Sequence, residues 1–406
     1  MHGNPAEVVV AGHICLDVIP LFGERESAAS VTLAPGTLTT VGPAITATGG
    51  PVSNTGLALH RLGIPTKLMG KVGNDLFGHA ILDLLRESDP ALAEGMIVEA
   101  GETTSYSIVV SPPGIDRFFL HSPGANNTFC ADDVDMGELS EARLFHFGYP
   151  PLMRRMYANE GAELAALMAR VKAAGVTTSL DMAYPDPDSE AGRADWTAIL
   201  RRVLPHVDVF LPSLDEILFM LDRPRFDRLR REAPGELAAH ADGALLGEIA
   251  GQLIEMGVAL AVLKLGNQGL YIRTTGSPAR LQAMGRCTPR KLDGWLSREL
   301  LSPCFKTKVV GTTGAGDSTI AGFLAGLLKG LPIEQVMTGA VAVGAFNVES
   351  ADATSGIRDW RTVQARLRAG WERLPASLNL PGWQWDDEPG IWISPHDARR
   401  AQVRPR

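Results

Sequence analysis

Residues 311–330 read GTTGAGDSTIAGFLAGLLKG, a glycine-rich turn that leads into an acid and then into an apolar segment. After Asp317, apolar residues recur at the spacing of one helix face, and Gly330 and Pro332 mark the end of the predicted helix. The turn therefore lies at a helix N-terminus, where unpaired backbone N–H groups favour an anion. Two interpretations of Asp317 stay open: it caps the helix, or it stands beside a bound anion and acts on another molecule.

The same helix is rich in small residues on the side away from its apolar face. Ala321, Gly322, Ala325 and Gly326 recur there and keep the helix slim. We expect this side to allow close packing against a sheet.

Predicted strands and helices alternate along most of the chain. The run EVVVAG at residues 7–12 is typical of a buried strand, and the glycine pair Gly49–Gly50 introduces a helix that ends at Gly63. Repeated alternation of this kind favours a mostly parallel sheet with crossover helices on both faces. The sequence thus predicts one α/β domain, residues 1–358, built around a mostly parallel sheet.

Two segments depart from this alternation. Residues 24–48 are rich in Ala, Thr, Gly and Pro, and residues 102–130 hold two β-rich runs on either side of the turn PPG at residues 112–114. We predict that they form a small β flap, or lid. Five of the seven tryptophans fall in residues 359–406, a predicted C-terminal extension whose rings pack on the body or on another subunit.

The bulk composition is that of an ordinary globular protein. The 406 residues are 45% hydrophobic and 21% charged, with a net charge of −8 and no basic cluster that would indicate a nucleic-acid surface. The four cysteines form no CxxC pair or zinc-like spacing, and the N-terminus is a poor signal peptide. The sequence therefore predicts a cytoplasmic protein that binds neither nucleic acid nor a membrane.

The common nucleotide-binding motifs are missing from the sequence. There is no G-x-x-x-x-G-K-[ST] P-loop and no G-x-G-x-x-G after the first strand. A nicotinamide-binding domain is therefore disfavoured.

Several stretches resemble one known family. VVGTTGAGDSTIAGFLAGLL (309–328) resembles the C-terminal signature of the ribokinase-like (PfkB) carbohydrate kinases, and GGPVSNTGLALHRLG (49–63) with GKVGNDLFG (70–78) resembles their N-terminal signature. The strand ending at Asp17, LPSLDE (211–216) and KLGNQG (264–269) follow the family's order, so the resemblance spans residues 7–357. It implies a ribokinase-like three-layer α/β/α fold, and phosphoryl transfer from ATP, with Mg²⁺, to a hydroxymethyl group of a sugar or sugar-like alcohol.

The resemblance also implies roles for individual residues. Asp317 would be the base that takes the proton from the substrate hydroxyl, and the N–H groups of Gly314, Ala315 and Gly316 would form an anion hole. Glu216 would act on magnesium through water. The remaining residues divide between the sugar and the nucleotide: Asp17, Gly49, Gly50 and Asn54 would hold the substrate, and Lys264, Gly266, Gly269, Thr312 and Thr313 would lie along ATP.

Structural readings of some of these residues stay open beside the functional ones. Asp17 could be a loop acid, Asn54 a helix N-cap, and the glycines near 266–269 a tight hairpin turn. Six further polar residues lie near the expected substrate side, and for them we favour structural roles: His13, Tyr106, His121, Asn126, His146 and Tyr149.

The sequence departs from the family pattern at three places. Ser213 stands where the family usually has Asn, and Gly311 where many members have an Asp that helps bind potassium. Asp352 and Gly356 also replace a glycine-plus-serine arrangement, which weakens the expectation of monovalent-cation activation. Two alternatives therefore remain, a nucleoside kinase and a non-catalytic sugar or nucleotide sensor, and an exposed flap could pair across a homodimer.

Overall fold

The computed structural model describes residues 6–22, 36, 38–110, 118–232 and 237–400. The PPG turn and most of segment 24–37 lie outside these residues. The strands are β1 (Val8–Gly12), β2 (Cys15–Pro20), β3 (Ala44–Gly49), β4 (Thr66–Met69), β5 (Lys71–Gly73), β6 (Ile97–Glu99), β7 (Tyr106–Val110), β8 (Phe118–Ser122), β9 (Leu144–Gly148), β10 (Thr177–Leu180), β11 (Val209–Phe210), β12 (Leu260–Lys264), β13 (Leu270–Thr274), β14 (Glu299–Ser302), β15 (Gln384–Asp386) and β16 (Ile391–Ile393).

The α-helices begin and end as follows: α1 (Pro51–Arg61), α2 (Leu76–Ser88), α3 (Met136–Leu139), α4 (Arg154–Ala173), α5 (Trp196–Val203), α6 (Leu214–Leu221), α7 (Arg223–Glu232), α8 (Gly243–Glu255), α9 (Pro278–Gln282), α10 (Ala315–Leu328), α11 (Ile333–Asn347) and α12 (Trp360–Arg368). Helix α4 is interrupted at residues 158–161, where the backbone leaves the helical region. None of the helices that the structure describes is long and apolar enough to cross a bilayer.

A ten-stranded sheet forms the middle layer, in the order β15-β16-β14-β13-β12-β11-β10-β9-β1-β4. Neighbouring strands pair in parallel along the part of the sheet with the order β4-β1-β9-β10-β11-β12. They pair antiparallel along the remaining part, with the order β12-β13-β14-β16-β15. Alternate residues of one strand enter different cores: Val8 and Val10 lie in one, Val9 and Ala11 in the other. Helices α1, α10 and α11 cover the first face, and α4, α5, α6 and α8 cover the second. The predicted three-layer α/β/α fold is therefore confirmed.

A separate four-stranded sheet forms the lid, in the order β3-β2-β7-β8. Strand β2 pairs antiparallel with β3 and parallel with β7, and β7 pairs antiparallel with β8. Ile45, Phe118, Phe119 and Leu120 are exposed on it. Only two residues separate β1 of the main sheet from β2 of the lid, so the lid is connected directly to an inner strand of the main sheet.

Helix α10 is buried nearly all round rather than on one face only. A Cβ at Gly322 would lie 2.9 Å from Cα of Ala340, and one at Gly326 would lie 3.2 Å from Cα of Val336. The small residues thus allow close packing, as predicted, but the element that packs on them is helix α11 and not the sheet.

The tryptophan-rich C-terminal segment is built into the main sheet, which the sequence did not predict. Strand β16 pairs with β14, and β15 forms the sheet edge. Trp360 and Trp371 pack against one core and Trp383 and Trp392 against the other, so these rings pack on the body, the first of the two arrangements considered.

Candidate active site

The carboxylate of Asp317 lies buried in the first turn of α10 and is held by side chains from distant parts of the chain. Nδ2 of Asn54 donates to Oδ2 at 3.0 Å, and the phenol of Tyr149 donates to both oxygens, at 3.1 and 3.2 Å. Oγ1 of Thr55 donates to Oδ1 at 3.4 Å. The helix N-cap is Gly314, not Asp317. The capping interpretation of Asp317 is therefore wrong.

The pKa of Asp317 is raised by burial, against the opposing effects of Lys264 and of the hydrogen bonds from Asn54, Tyr149 and Thr55. Burial penalises the charged form, while these partners stabilise it. A carboxylate with a raised pKa binds a proton more readily, which suits a general base.

The turn before α10 needs a glycine at position 314. Gly314 has φ 70°, and a Cβ there would lie 2.7 Å from both Cβ and O of Ala353. The resemblance predicted three backbone donors for an anion, the N–H groups of Gly314, Ala315 and Gly316. Of these, the Ala315 N–H donates within the turn, to Thr312 O at 3.3 Å. Gly314, Ala315 and Gly316 all line a cavity on one side of Asp317.

Two cavities meet at Asp317 and share Gly314, Tyr149 and Asp317 as walls. The first, the hairpin-side cavity, has a volume of about 430 Å³ and reaches the β12–β13 turn at residues 266–269. The second, the lid-side cavity, has a volume of about 630 Å³ and reaches the lid strands β2, β7 and β8. One carboxylate therefore faces two binding volumes of ligand size.

The lid-side cavity contains most of the residues predicted to hold the substrate. Asp17, Gly50 and Asn54 line it. Gly49 makes room for Asp17, because a Cβ at residue 49 would lie 2.5 Å from Oδ2 of Asp17. Gly50 has φ 85° and is the N-cap of α1, so the N-cap reading of Asn54 is wrong. Asn54 lies inside α1 and reaches Asp317 instead.

Two histidines in the wall of the lid-side cavity contact each other. Nε2 of His13 lies 3.4 Å from Nε2 of His121, and Nδ1 of His121 lies 3.0 Å from Oγ of Ser107. Burial lowers the pKa of both rings, and His121 lowers that of His13 further. Both rings are therefore neutral at pH 7 and can exchange hydrogen bonds with hydroxyl groups.

The six further polar residues divide into three with structural contacts and three that line the lid-side cavity. His146 is a core residue bonded to Oγ of Ser179 at 3.0 Å, and burial lowers its pKa to about 3. Asn126 holds the backbone of Ile14 through two hydrogen bonds, at 2.9 and 3.2 Å. Tyr106 packs edge-on against Phe77. For these three, the structural role that we favoured agrees with the observed contacts, whereas His13, His121 and Tyr149 line the lid-side cavity.

Lys264 lies in the hairpin-side cavity within a cluster of acids. Its Nζ lies 2.6 Å from Oδ1 of Asp181, a residue that we did not single out in the sequence. Burial raises the pKa of Asp181 to about 8. Its position could have signalled it, because Asp181 directly follows β10 at the carboxyl edge of the parallel strands, where ligands of such sheets bind.

Glu216 lies in the first turn of α6, and burial raises its pKa. Its Oε2 accepts the Ser213 N–H at 2.6 Å, while Oγ of Ser213 accepts the Glu216 N–H at 3.2 Å. Ser213 thus completes a capping box and fixes the Glu216 side chain at the hairpin-side cavity.

The remaining nucleotide candidates divide between the two cavities. Gly266, Gly269 and Thr312 line the hairpin-side cavity, but Thr313 lines the lid-side cavity. The predicted nucleotide residues Thr312 and Thr313 therefore line different cavities, and the role of Thr313 along ATP stays a prediction. Gly269 has φ 106° and a Cβ there would lie 2.1 Å from Ser302 O, so the tight-turn reading also holds.

Gly311 packs against the loop at residues 350–355. A Cβ at position 311 would lie 2.8 Å from Ala351 O. The Asp352 carboxylate turns back on its own loop and accepts the N–H groups of Thr354 and Ser355, at 2.8 and 2.7 Å. Arg61 of α1 donates to Thr354 O. A carboxylate at position 311 would have no room in this arrangement.

Comparison with known proteins gives one family. The model of the pfkB family carbohydrate kinases matches residues 6–360. An uncharacterized sugar kinase of Archaeoglobus fulgidus is 28% identical over 303 residues, covering 74% of this chain and 98% of that protein. Probable fructokinase-4 of Arabidopsis thaliana is 24% identical over 379 residues, covering 90% of this chain and 98% of that protein.

Solved structures show the same fold at low sequence identity. Ribokinase of Arabidopsis thaliana in complex with ribose and ATP aligns with a TM-score of 0.66 at 18% identity, covering 89% of this chain and 98% of that one. Fructokinase of Xylella fastidiosa with bound ATP aligns with a TM-score of 0.64 at 17% identity, with the same coverage. As the sequence motifs indicated, this chain belongs to the pfkB family of carbohydrate kinases.

Proposed function

We propose that this protein transfers a phosphoryl group from ATP to a hydroxymethyl group of a sugar or sugar-like alcohol, with Asp317 as the base. The observation that carries the proposal is the meeting of two ligand-sized cavities at one buried carboxylate. A phosphoryl transfer needs the donor and acceptor aligned on either side of the reacting atoms, and little other chemistry from the protein.

ATP would occupy the hairpin-side cavity with its phosphates toward the α10 N-terminus. Lys264 and the backbone of Gly314 and Gly316 lie at that end. A cation and helix N-terminal N–H groups both stabilise phosphate charge. The acceptor would lie in the lid-side cavity, with Asp17, His13 and His121 available for its hydroxyl groups.

In the reaction, Asp317 would accept the proton of the acceptor hydroxyl as the oxygen attacks the terminal phosphate. Tyr149 and Asn54 hold the carboxylate in place, so its geometry is fixed before the substrate arrives. The lid strands would exclude water from the acceptor when the ligand is bound, which limits transfer to water.

The acids beside Lys264 fit a hydrated magnesium ion. No group of three metal-ligating side chains occurs among the residues that the structure describes, so a fully protein-built site is not present there. Magnesium commonly keeps several waters and binds through one or two carboxylates plus phosphates. Glu216 and Asp181 would hold it through water, and Oδ2 of Asp181 is buried without a hydrogen-bond partner within the described chain. The bound ion would supply charge neutralisation for the phosphates.

The test is a panel of labelled-phosphate transfers from ATP to free sugars, polyols and nucleosides, with Asp317→Asn as the diagnostic variant. We expect transfer to at least one alcohol and a loss of kcat of about 10²–10⁴-fold in the variant, with ATP binding retained. Asp83→Asn, at an exposed acid on α2, is the matched control. Full activity in Asp317→Asn, or ligand binding without transfer to any acceptor, would contradict the proposal; the second result would favour a sensor.

A nucleoside acceptor is the second candidate. The lid-side cavity also has the aromatic side chains of Phe119, Tyr157 and Tyr184 in its walls. Aromatic rings give a base a surface for stacking. Preferential transfer to nucleosides over free sugars in the same panel would identify this activity.

A further inference from the structure

We propose that the C-terminal segment of residues 371–377 is part of the nucleotide site, and that Leu374 packs against the base of the bound nucleotide. This inference rests on the proposed binding of ATP in the hairpin-side cavity. The segment lies beyond residues 6–360, the part of the chain that the family model matches. Its contribution is therefore not implied by the family motifs.

The wall of the hairpin-side cavity combines polar groups with apolar side chains. Lys264 and the α10 N-terminus are among the polar groups, and phosphates would bind to them. The apolar part of the wall suits the flat face of a base. These side chains come from three separate segments: Phe305, Val309, Val341, Ala345, Val348 and Leu374.

Leu374 reaches this wall because its segment pairs with the chain before Val309. Leu374 N–H donates to Cys304 O at 2.8 Å, and Lys306 N–H donates to Glu372 O at 2.8 Å. These two bonds form an antiparallel bridge between Phe305 and Arg373. The side chain of Leu374 is half-buried, so a ligand in the cavity could cover its remaining surface.

Trp371 anchors the start of the segment behind the cavity wall. Its ring stacks on Phe305 with centroids 4.7 Å apart and meets Phe346 edge-on at 5.1 Å. The guanidinium of Arg366 lies 3.5 Å from the Trp371 ring centroid and forms two hydrogen bonds with Glu349, at 2.8 and 3.0 Å. The segment is thus fixed to both chain stretches that flank the apolar wall.

Ser377 ties the other end of the segment to the β12–β13 turn. Its N–H and its Oγ–H both donate to Oε1 of Gln268, at 2.9 Å each. Gln268 lies in the turn between Gly266 and Gly269, and both glycines line the cavity. One segment therefore supports the β12–β13 turn and also supplies Leu374 to the apolar part of the cavity wall.

The experiment measures nucleotide binding to the full-length protein by calorimetry, with a non-hydrolysable ATP analogue and with inorganic tripolyphosphate. We expect Leu374→Ala to weaken binding of the ATP analogue about tenfold, because a partly buried leucine side chain no longer contacts the base. Binding of tripolyphosphate, which has no base, stays unchanged. Leu380→Ala is the matched control, since Leu380 is a partly buried leucine three residues beyond this segment that packs against the second core.

A second variant distinguishes the contact of Leu374 with the base from the support that the segment gives to the β12–β13 turn. Ser377→Ala removes one of the two bonds that support the β12–β13 turn through Gln268, so we expect it to weaken binding of the ATP analogue and of tripolyphosphate alike, in contrast to Leu374→Ala. Equal affinity of Leu374→Ala and wild type for the ATP analogue, or an equal loss for tripolyphosphate, would overturn the inference. Binding of the analogue that depends on Leu374 in a protein that transfers no phosphate would contradict the proposed function and leave this inference standing.

Discussion

Tyr149 donates its phenol to both carboxylate oxygens of Asp317, at 3.1 and 3.2 Å, across 168 residues of sequence. Tyr149 directly follows β9 and has φ 62° and ψ 43°, a left-handed conformation that is costly for a residue with a side chain. In this conformation the Tyr149 side chain lines both cavities. We interpret Tyr149 as the residue that orients the base.

Removal of this phenol should affect turnover and its pH dependence. The bond stabilises the charged carboxylate and thereby opposes the rise in the pKa of Asp317 that burial causes. In Tyr149→Phe the pKa should rise further, so the acidic limb of the kcat profile should move to higher pH. A lost hydrogen bond to a charged group costs about 1.5–3 kcal/mol, so kcat should fall about 10- to 150-fold.

The matched control for this variant is Tyr271→Phe, which removes another buried phenol that donates to a carboxylate, Glu299, at 2.7 Å. It should lower stability without moving the pH profile. An unshifted profile in Tyr149→Phe would refute the orienting role.

Gly49→Ala should weaken acceptor binding without affecting the nucleotide. The new Cβ would lie 2.5 Å from Oδ2 of Asp17, so the carboxylate would have to move. Overpacking of this kind costs about 1–3 kcal/mol, which corresponds to an increase of about 5- to 150-fold in acceptor KM. Gly294→Ala, where the new Cβ would lie 3.4 Å from Nη2 of Arg399 in ordinary van der Waals contact, is the control. A parallel loss of nucleotide affinity in Gly49→Ala would show a general distortion instead.

Asp181 should make stability depend on pH in an unusual direction. Its pKa is raised from 3.8 to about 8 in the folded protein, so the folded state binds a proton that the unfolded state releases. The contribution to stability is present below pH 4 and is lost as pH rises toward 8. Urea denaturation of wild type and Asp181→Asn between pH 4 and pH 8 should show wild type losing stability relative to the variant. A constant difference between the two proteins would contradict the assignment.

Phosphate transfer should not require potassium. Position 311 is a glycine whose Cβ site is closed by Ala351, and Asp352 is bonded to its own loop. No carboxylate is therefore placed at position 311 to bind a monovalent cation. Rates in potassium chloride and in choline chloride of equal ionic strength should agree, and a clear activation by potassium would show that backbone carbonyls alone form a site.

The sequence by itself determined the alternation that gives the layered fold and the turn at Gly314–Asp317. Both features are local, because the periodicity of each element and the glycine-rich start of α10 depend only on contiguous residues. The lid hairpin of β7 and β8 was predicted for the same reason, since two β-rich runs flank a turn.

Only the tertiary structure decided which side chains meet at Asp317 and what walls the two cavities. Asn54 lies 263 residues from Asp317 and looked like a helix cap, yet the close packing of α1 and α10 brings its amide onto the carboxylate. Asp181 and Leu374 carry no motif, and they reach the site through the order of parallel strands and through pairing of the C-terminal segment with residues 304–306. Such contacts depend on how distant elements pack, and no local pattern of residues encodes them.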